Sequence, residues 1–328
     1  MKNVAIIGSG SWGVALSIHL SKMGHNVKMW SYSKEEADMI NNERKCKFLP
    51  KAVIPKGVKC LTNFEEAING TEIVLIVTPS KAVREVTKQF KPYLTNQQII
   101  MCSKGIEKDT LYTLNEILEE ELPGFKIGGL SGPSHAEEVS VAIPTALVIA
   151  SEHKDVLENI QSNFANETLR IYKSKDLKGA ELGGAFKNII AFCAGIVVGL
   201  ELGDNTFAAL LTRGLSEMAK LSVKMGAHPS TIYGLTGLGD LIVTCSSEHS
   251  RNRKAGYLTG KGKSIDEVRA EVGMTIESID NIEATYALSR KYNVEMPIVD
   301  SVYNVLFNNK SVEEAVNELM KRKLKMED

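Results

Sequence analysis

One lysine interrupts an otherwise apolar stretch in the middle of the chain. Lys187 is the only charged residue between positions 182 and 200, and Gly183 and Gly184 precede it by about one helical turn. An ammonium group in an apolar interior is costly unless it has partners, so its presence calls for a reason. At helical spacing the two glycines leave space on the same face for a ligand or for another backbone. Because lysines with a perturbed pKa cluster at functional sites, the stretch favours a functional lysine over a structural one that pairs with a carboxylate.

Two later stretches carry polar side chains that could bind a substrate. Residues 236–240 place the carboxylate of Asp240 after a glycine-rich turn. Ser250, Arg251 and Asn252 bring together a hydroxyl, a guanidinium and an amide, which suits the binding of a phosphate group. An Asp-capped turn is the alternative for the first stretch, and by pattern alone a solvated basic loop is the better supported interpretation of the second.

Further candidates follow directly after two predicted strands. Lys104 would lie at the carboxyl end of a strand, where open α/β sheets bind ligands, although a solvent-facing loop fits the pattern equally well. Gly132 permits a sharp turn after the next strand, and Ser134 and Glu137 have the spacing of a capping box, which predicts that a helix starts there. The N–H groups at that helix N-terminus would suit an anion. His135 is interpreted as polar surface rather than as a general base.

The beginning of the chain has a dinucleotide-binding pattern. A short apolar strand ends at a turn in which Gly8, Gly10 and Gly13 have the spacing G-x-G-x-x-G, and a helix and a second strand follow. The first glycine permits the sharp turn, the second lets the backbone approach a pyrophosphate, and the third lets the helix pack against the strand. The free N–H groups of the helix N-terminus then face the phosphates. Because the flanking segments are correct, a glycine turn without a ligand is the weaker alternative.

The residues after the second strand bear on the type of cofactor. NAD-preferring sites usually have Asp or Glu at the end of this strand, where the carboxylate holds the ribose 2′-hydroxyl. Here the first acidic residues are Glu35 and Glu36. Ser31, Ser33 and Lys34 could instead hold a 2′-phosphate. The sequence therefore favours NADPH and leaves NADH open, while a simple polar helix start is the alternative interpretation.

Strands and helices alternate up to residue 174, and only helical periods follow. Apolar runs predict further strands at 73–77, 99–102, 126–130, 146–150 and 169–172, which indicates a sheet of about eight strands. Helical periods recur at 206–225, 265–272, 279–292, 298–307 and 312–320. The predicted fold is α/β, with an N-terminal Rossmann-type, mostly parallel sheet in residues 1–174 and an all-α C-terminal domain in residues 175–328. A cleft at such a junction commonly buries a ligand.

The composition bears on the location and the partners of the protein. The chain has 328 residues and a formal net charge of −1, which gives no electrostatic case for nucleic acid or an anionic membrane as the main partner. The stretch around Lys187 is about long enough to cross a bilayer, but the lysine and four glycines argue against stable membrane insertion. Five cysteines without a close pair fit reduced thiols, and the N-terminus has no secretion signal, so we expect a cytoplasmic location. No metal site is predicted, and a homodimer is left open.

Six motifs, in the same order and over nearly the whole chain, resemble those of the bacterial NAD(P)-dependent glycerol-3-phosphate dehydrogenases. They are Gly8–Gly13, Ser103–Glu107, Leu130–Glu138, Gly183–Asn188, Gly234–Asp240 and His249–Asn252. The resemblance implies reversible reduction of dihydroxyacetone phosphate to sn-glycerol 3-phosphate, the backbone for phospholipid synthesis. It also implies NADPH or NADH as the cofactor and a triose phosphate as the small-molecule partner.

The resemblance further implies a role for each matched residue. Lys187 would be the catalytic acid/base in a hydride transfer to the ketone carbon. The substrate contacts would be Lys104, Gly132, Ser134, Lys187, Asp240, Ser250, Arg251 and Asn252. By resemblance the cofactor contacts would be Ser11, Trp12, Lys104, Ala136, Arg251 and Glu277. Gly8, Gly10 and Gly13 of the glycine turn, together with Tyr32, Lys34 and Thr275, complete the predicted cofactor site.

Two other kinds of function remain open at this point. A β-hydroxyacid dehydrogenase or a ketopantoate reductase also places a lysine on the first helix after a Rossmann domain, but these enzymes act on carboxylates. A nucleotide-binding sensor without turnover would need no buried lysine that faces the nicotinamide. Oxidation of NAD(P)H with a panel of keto acids and triose phosphates would separate these functions.

Overall fold

The computed structural model describes residues 1–324 and residue 326. The strands are β1 (Asn3–Ile7), β2 (Asn26–Trp30), β3 (Lys59–Leu61), β4 (Ile73–Ile76), β5 (Gln98–Met101), β6 (Ile127–Ser131), β7 (Thr145–Ala150) and β8 (Leu169–Ser174). They form an eight-stranded sheet in the order β3-β2-β1-β4-β5-β6-β7-β8. Neighbouring strands are parallel, except that β6 and β7 are antiparallel.

The strand order places a crevice beside β1. Alternate residues of β1 pack into hydrophobic clusters on the two faces of the sheet, which explains why its sequence is continuously apolar. The chain order reverses between β1 and β4, and open α/β sheets bind ligands at the carboxyl ends of strands beside such a reversal. The register aligns Ile7 of β1 with Trp30 of β2 and with Ile76 of β4. The residues that follow these three strands therefore lie at one edge of the sheet.

Helices connect the strands and make up the rest of the described chain. Those of the N-terminal half are α1 (Ser11–Lys22), α2 (Lys34–Asp38), α3 (Phe64–Ile68), α4 (Val83–Phe90), α5 (Leu114–Glu121), α6 (Ala136–Ser140) and α7 (Lys154–Phe164). Those that follow are α8 (Leu177–Gly199), α9 (Gly203–Lys224), α10 (Pro229–Ile232), α11 (Asp240–Ser246), α12 (Arg251–Gly260), α13 (Ile265–Val272), α14 (Glu277–Lys291), α15 (Pro297–Phe307) and α16 (Val312–Met320). The predicted fold class is confirmed, while the domain division after residue 174 stays a prediction.

The edge of the sheet and the start of α5 differ from the sequence prediction. β3 has only three residues, which is too short for a periodic signal, and the sequence pattern missed it. The sequence pattern predicts a helix over residues 110–122. In the structure α5 begins at Leu114, because Thr113 is the N-cap of a capping box with Glu116.

Ser134 does not cap a helix, so the capping-box prediction is wrong. α6 begins at Ala136, and His135 occupies the N-cap position without a side-chain capping bond. The hydroxyl of Ser134 instead donates to the carbonyl oxygen of Gly132 over 3.2 Å. Ser134 lies one residue before the N-cap position, so its hydroxyl is out of register with the free N–H groups of the first helical turn.

The predicted basic loop at residues 250–254 is in fact the start of a helix. α12 begins at Arg251, and the hydroxyl of Ser250 is its N-cap and accepts from the backbone N–H of Arg253 at 3.2 Å. Polar residues in the first turn of a helix resemble those of a loop, which is why the pattern misled. The polar side chains of this segment are consequently held on a rigid element.

α8 is the central helix of the C-terminal half. It is long and apolar enough to span a bilayer, but 94% of its most apolar 18-residue window is buried by the protein. α12 crosses it at very short range: a Cβ atom added to Gly256 would lie 1.8 Å from the carbonyl oxygen of Phe192. This contact between two backbones sets the position of the N-terminus of α12 relative to α8.

We expect Gly256→Ala to lower the free energy of unfolding by about 2 kcal/mol, because the added methyl group forces two packed helices apart. Urea unfolding followed by circular dichroism measures this change. Lys254→Ala, at an exposed position of the same helix, is the control and should change stability by less than about 0.5 kcal/mol. Equal stabilities of the two variants would contradict the close helix crossing.

Candidate active site

Two lysines from distant parts of the chain share one buried carboxylate. Nζ of Lys187 on α8 donates to Oδ1 of Asp240 at 2.7 Å, and Nζ of Lys104, after β5, donates to Oδ2 at 2.6 Å. Lys187 also donates to Oγ1 of Thr244 at 2.6 Å, and Lys104 lies 3.5 Å from the carbonyl oxygen of Gly132. Asp240 and Lys187 are buried, while Lys104 is partly exposed. The structure thus brings together three of the residues that the sequence proposed.

The glycines before Lys187 allow this convergence. A Cβ atom on Gly183 would lie 2.7 Å from the carbonyl oxygen of Thr236, in the π-helical turn Leu235–Gly239 that precedes Asp240. A Cβ atom on Gly184 would lie 3.2 Å from the side chain of Lys104. The space that the sequence predicted beside Lys187 is therefore used by another backbone and by the second lysine.

The surroundings of the cluster shift the pKa values of its members. Burial lowers the pKa of Lys187 to about 8, although the charge of Asp240 opposes this shift. Burial also tends to raise the pKa of Asp240, but the two lysines outweigh it and hold the pKa below its ordinary value. Asp240 is therefore a carboxylate at neutral pH, and Lys187 carries a proton that it can release near neutrality.

Arg251 is a partly buried cation at the start of α12. It makes no hydrogen bond or ion pair within residues 1–324 and 326. Burial lowers its pKa, while Glu277 and Glu137 oppose the shift, and an arginine remains charged at neutral pH. A partly buried guanidinium with free donors is suited to bind an anion from outside the protein.

Ser250 and Asn252, which the sequence proposed as phosphate-binding groups beside Arg251, make hydrogen bonds within the protein. The hydroxyl of Ser250 caps α12, as described above. Nδ2 of Asn252 donates to Oδ1 of Asn188 at 3.0 Å, and Oδ1 of Asn252 accepts from the backbone N–H of Ser278 at 2.9 Å. Asn252 therefore ties the start of α12 to α8 and α14, which fixes the direction of the arginine beside it.

The glycine turn is shaped to hold a dinucleotide. A Cβ atom on Gly8 would lie 2.7 Å from the carbonyl oxygen of Val77, and one on Gly13 would lie 2.3 Å from that of Gly8, so both positions are closed by backbone. At Gly10 a Cβ atom would meet no atom within 4 Å, which leaves the turn open to a ligand. Gly10 is also the N-cap of α1, whose first N–H groups face this opening. The residues of the turn therefore fit the pyrophosphate of the predicted cofactor.

The other cofactor candidates lie at or near the same edge of the sheet. Ser11 and Trp12 begin α1, and Tyr32 follows β2 with its side chain 92% exposed. Lys34 forms an ion pair with Asp38 over 2.6 Å. Ser11 and Trp12 thus lie beside the glycine turn, whereas Tyr32 and Lys34 lie after β2, where a Rossmann site holds the adenosine ribose. Lys34 already has an anionic partner.

Three further candidates approach from other segments. Ala136 is buried at the start of α6, and Thr275 lies in the segment before α14. Glu277 begins α14, and its Oε2 accepts from Oγ of Ser80, after β4, at 2.6 Å. Burial raises the pKa of Glu277, and the bonds from Ser80 oppose this shift. Glu277 thereby links α14 to the cofactor edge of the sheet.

Sequence analysis missed two residues at the site. Thr244 bonds to Lys187 and lies four residues after Asp240, on the same face of α11. Had the short helix α11 been predicted, this spacing would have indicated that Thr244 lies beside Asp240. Asn281 accepts from the backbone N–H of Ile106, two residues after Lys104, at 3.0 Å, and no sequence pattern indicated this contact.

Two family models match the chain. The model described as NAD-dependent glycerol-3-phosphate dehydrogenase N-terminus matches residues 3–157, and the model of the corresponding C-terminus matches residues 176–317. The chain belongs to the NAD-dependent glycerol-3-phosphate dehydrogenase family. The family that the motifs resemble is thus confirmed.

Individual members of the glycerol-3-phosphate dehydrogenase family are similar over nearly their whole length. A Fusobacterium nucleatum protein named glycerol-3-phosphate dehydrogenase (NAD(P)+) is 49% identical over 332 residues, which cover 100% of this chain and 99% of the relative. A Bacillus subtilis protein of the same name is 45% identical over 327 residues, covering 98% and 95%. The crystal structure of glycerol-3-phosphate dehydrogenase from Coxiella burnetii is 36% identical with a TM-score of 0.95, covering 98% and 99%.

Solved structures outside the glycerol-3-phosphate dehydrogenase family share only the fold. A D-mandelate dehydrogenase has a TM-score of 0.65 at 14% identity. A ketopantoate reductase from Ralstonia eutropha has a TM-score of 0.60 at 15% identity. The alternative dehydrogenases considered from the sequence are therefore not favoured.

We expect Asp240→Asn to lower the free energy of unfolding by about 3 kcal/mol at pH 6, because it leaves two ammonium groups without their buried counter-ion. The loss should become smaller as the pH rises towards about 8, because Lys187, without the charge of Asp240 that raises its pKa, gives up its proton below the pKa of about 8 that it has in the unmodified protein. Urea unfolding at pH 6 and pH 9 measures both values. The control is Glu283→Gln, which removes an exposed ion pair with Lys108 and should cost less than about 1 kcal/mol. Equal losses in the two variants would contradict the role of the buried cluster.

Proposed function

We propose that the protein catalyses the NAD(P)H-dependent, reversible reduction of dihydroxyacetone phosphate to sn-glycerol 3-phosphate. The observation that carries the proposal is the buried cluster in which Lys187 and Lys104 share Asp240 beside the carboxyl edge of the sheet. Such a cluster holds a proton donor and excess positive charge where a ketone oxygen could be reduced. The names of the relatives at 49% and 45% identity support the same activity.

Lys187 acts as the general acid in the proposed reaction. The reduced nicotinamide, when bound, supplies a hydride to the ketone carbon. As negative charge develops on the carbonyl oxygen, the ammonium of Lys187 stabilises it and transfers its proton to it. In the reverse direction the neutral amine takes the proton from the hydroxyl of glycerol 3-phosphate. A pKa of about 8 serves both directions, because little free energy is needed to gain or lose the proton near neutral pH.

Asp240 and Lys104 prepare Lys187 for this role. The carboxylate holds the ammonium in place and keeps its pKa from falling further, while Lys104 adds a second positive charge. Lys104 and the hydroxyl of Ser134 both approach the carbonyl oxygen of Gly132. We therefore assign Lys104, Gly132 and Ser134 as substrate contacts. Their polar atoms would hold the hydroxyl groups of the triose.

Arg251 binds the phosphate of the substrate, with Ser250 and Asn252 fixing its position. Binding energy from this group, which does not react, orients the carbonyl next to Lys187. Arg251 is proposed to contact the cofactor as well, since its charge interacts with Glu277 at the cofactor edge.

The remaining candidate residues hold the cofactor. Gly8, Gly10, Ser11, Trp12 and Gly13 would bind the pyrophosphate, as the shape of the glycine turn suggests. The proposed contacts to its other parts are Tyr32, Lys34, Lys104, Ala136, Thr275 and Glu277. We further propose a cofactor-binding domain in residues 1–174 and a catalytic domain in residues 175–328. The protein is proposed to be cytoplasmic, to supply glycerol 3-phosphate for phospholipid synthesis and to be able to form a homodimer. Neither nucleic acid nor a membrane is proposed as a partner.

An assay at the nicotinamide absorbance band tests the proposal. Dihydroxyacetone phosphate should be reduced with NADH or NADPH, whereas 2-keto acids should give no turnover. Turnover with a keto acid alone would favour a β-hydroxyacid dehydrogenase or ketopantoate reductase. Binding of the dinucleotide without its oxidation by any substrate would favour a sensor.

We expect Lys187→Ala to lower kcat by about 100-fold or more, because it removes the proton donor. In the unmodified enzyme, ketone reduction should slow as the pH rises through about 8, since Lys187 must be protonated. Oxidation of glycerol 3-phosphate should accelerate over the same range, since it needs the neutral amine. Lys178→Ala, which removes an ion-paired lysine at the start of α8, is the control and should leave kcat unchanged. A Lys187→Ala enzyme with near-normal kcat would rule out the assigned role.

We expect Arg251→Ala to raise the KM for dihydroxyacetone phosphate by about tenfold or more, because a charged hydrogen bond to the phosphate is lost. Turnover of unphosphorylated dihydroxyacetone should change much less. Lys254→Ala, an exposed lysine of the same helix, serves as the control. Equal losses with both ketones would remove Arg251 from the phosphate site.

A further inference from the structure

The carboxylate of Glu36, in the first turn of α2, contacts the glycine turn. Oγ of Ser9, between Gly8 and Gly10, donates to Oε2 of Glu36 at 2.8 Å. The same Ser9 oxygen lies 2.8 Å from Oγ of Ser31, which directly follows β2. Because β1 and β2 end in register, this carboxylate lies beside the edge where a Rossmann site holds the adenosine ribose.

Glu36 is firmly held in this position. It lies in the first turn of α2, where its backbone N–H donates to the N-cap Ser33. Its second oxygen, Oε1, pairs with Nζ of Lys47 at 2.9 Å. The side chain of Glu36 is only 20% exposed, so its charge is screened by water less than that of a surface residue.

The groups that could bind a 2′-phosphate are already used within the protein. Oγ of Ser31 accepts from the backbone N–H of Ser33 at 3.2 Å, and Oγ of Ser33 caps α2. Lys34 pairs with Asp38, and Lys47 pairs with Glu36. A phosphate at this edge would have to compete with carboxylates for both lysines.

We propose that Glu36 determines the cofactor preference and makes the site favour NADH over NADPH. The inference rests on the proposed function, because it assumes that the glycine turn binds a nicotinamide dinucleotide. In NAD-binding sites a carboxylate at the end of the second strand accepts from the ribose 2′-hydroxyl. Here a carboxylate from the following helix takes that place, and Ser9 holds it there. A 2′-phosphate, with about two negative charges near neutral pH, is repelled by the same group.

The test compares Glu36→Gln with Glu35→Gln in the full-length protein. Glu35 is the preceding residue, it is exposed, and its side chain has no hydrogen bond or ion pair within the described residues. Each variant removes one negative charge from the same helical turn, so a general change in the electric field affects both equally. Only Glu36→Gln removes the charge next to Ser9, and glutamine keeps an oxygen that can accept from that hydroxyl.

The dissociation constants of NADH and NADPH are measured without substrate, by the fluorescence of the reduced nicotinamide on binding. We expect the unmodified protein to bind NADH more tightly. Glu36→Gln should shift the ratio of the two constants by about tenfold or more towards NADPH, since it removes a nearby charge and frees Lys47. Glu35→Gln should leave the ratio within about twofold of the original, as expected for a distant, solvated charge.

Several results would overturn the inference. These are tighter binding of NADPH by the unmodified protein, an unchanged ratio in Glu36→Gln, or the same shift in both variants. If Glu36→Gln fails to fold, Lys47→Met provides the test, because it leaves the carboxylate without its counter-ion and should weaken NADPH binding alone. If neither NADH nor NADPH bound the unmodified protein, that result would instead contradict the proposed function.

Discussion

The burial of one carboxylate between two ammonium groups is the constraint on which the rest of the structure depends. Moving a charge out of water costs several kcal/mol, so Asp240, Lys187 and Lys104 are stable inside the protein only as a group. Thr244 and the carbonyl oxygen of Gly132 supply further polar contacts to the two lysines. The cluster needs α8, α11 and the loop after β5 in one place. The sheet and the helical half must therefore pack together before the site exists.

The charges of the site suit its proposed substrate. Two ammonium groups share one carboxylate, so the cluster has an excess of positive charge. Arg251 adds a guanidinium with free donors, at a position fixed by Asn252 and by the close crossing of α8 and α12. A substrate with a phosphate at one end and a ketone at the other can satisfy both regions. In the proposed function, phosphate binding at Arg251 is a means of aligning the ketone rather than part of the chemical step.

The features that the sequence predicted well are local. The glycine turn and its flanking elements occupy the first thirty residues, and α8 is marked by its long apolar run around Lys187. The spacing of Lys104, Lys187 and Asp240 did not predict that they meet, because the three lie in separate segments. Only the resemblance to a family assigned all three to one substrate site. α12 was missed since its first turn is polar and its buried face consists largely of small residues, which give a weak hydrophobic signal. Ser134 was assigned as a cap because the capping-box spacing does not fix the first helical residue, and the helix begins one residue later than that spacing requires.

The proposed cofactor preference also depends on a contact that sequence spacing does not show, and this contact involves a single residue, Glu36. Glu36 lies six residues beyond the end of the second strand, so a rule based on the strand end passes over it and the nearby serines suggest NADPH instead. The hydrogen bond from Ser9 brings its carboxylate back to the glycine turn. Asp240 and Glu36 both carry a carboxylate, but the burial and the counter-ions of the two carboxylates differ. The first is buried and neutralised by two lysines, so its charge orders the protein, whereas the second is balanced by one partly exposed lysine, so its charge remains available to act on a ligand.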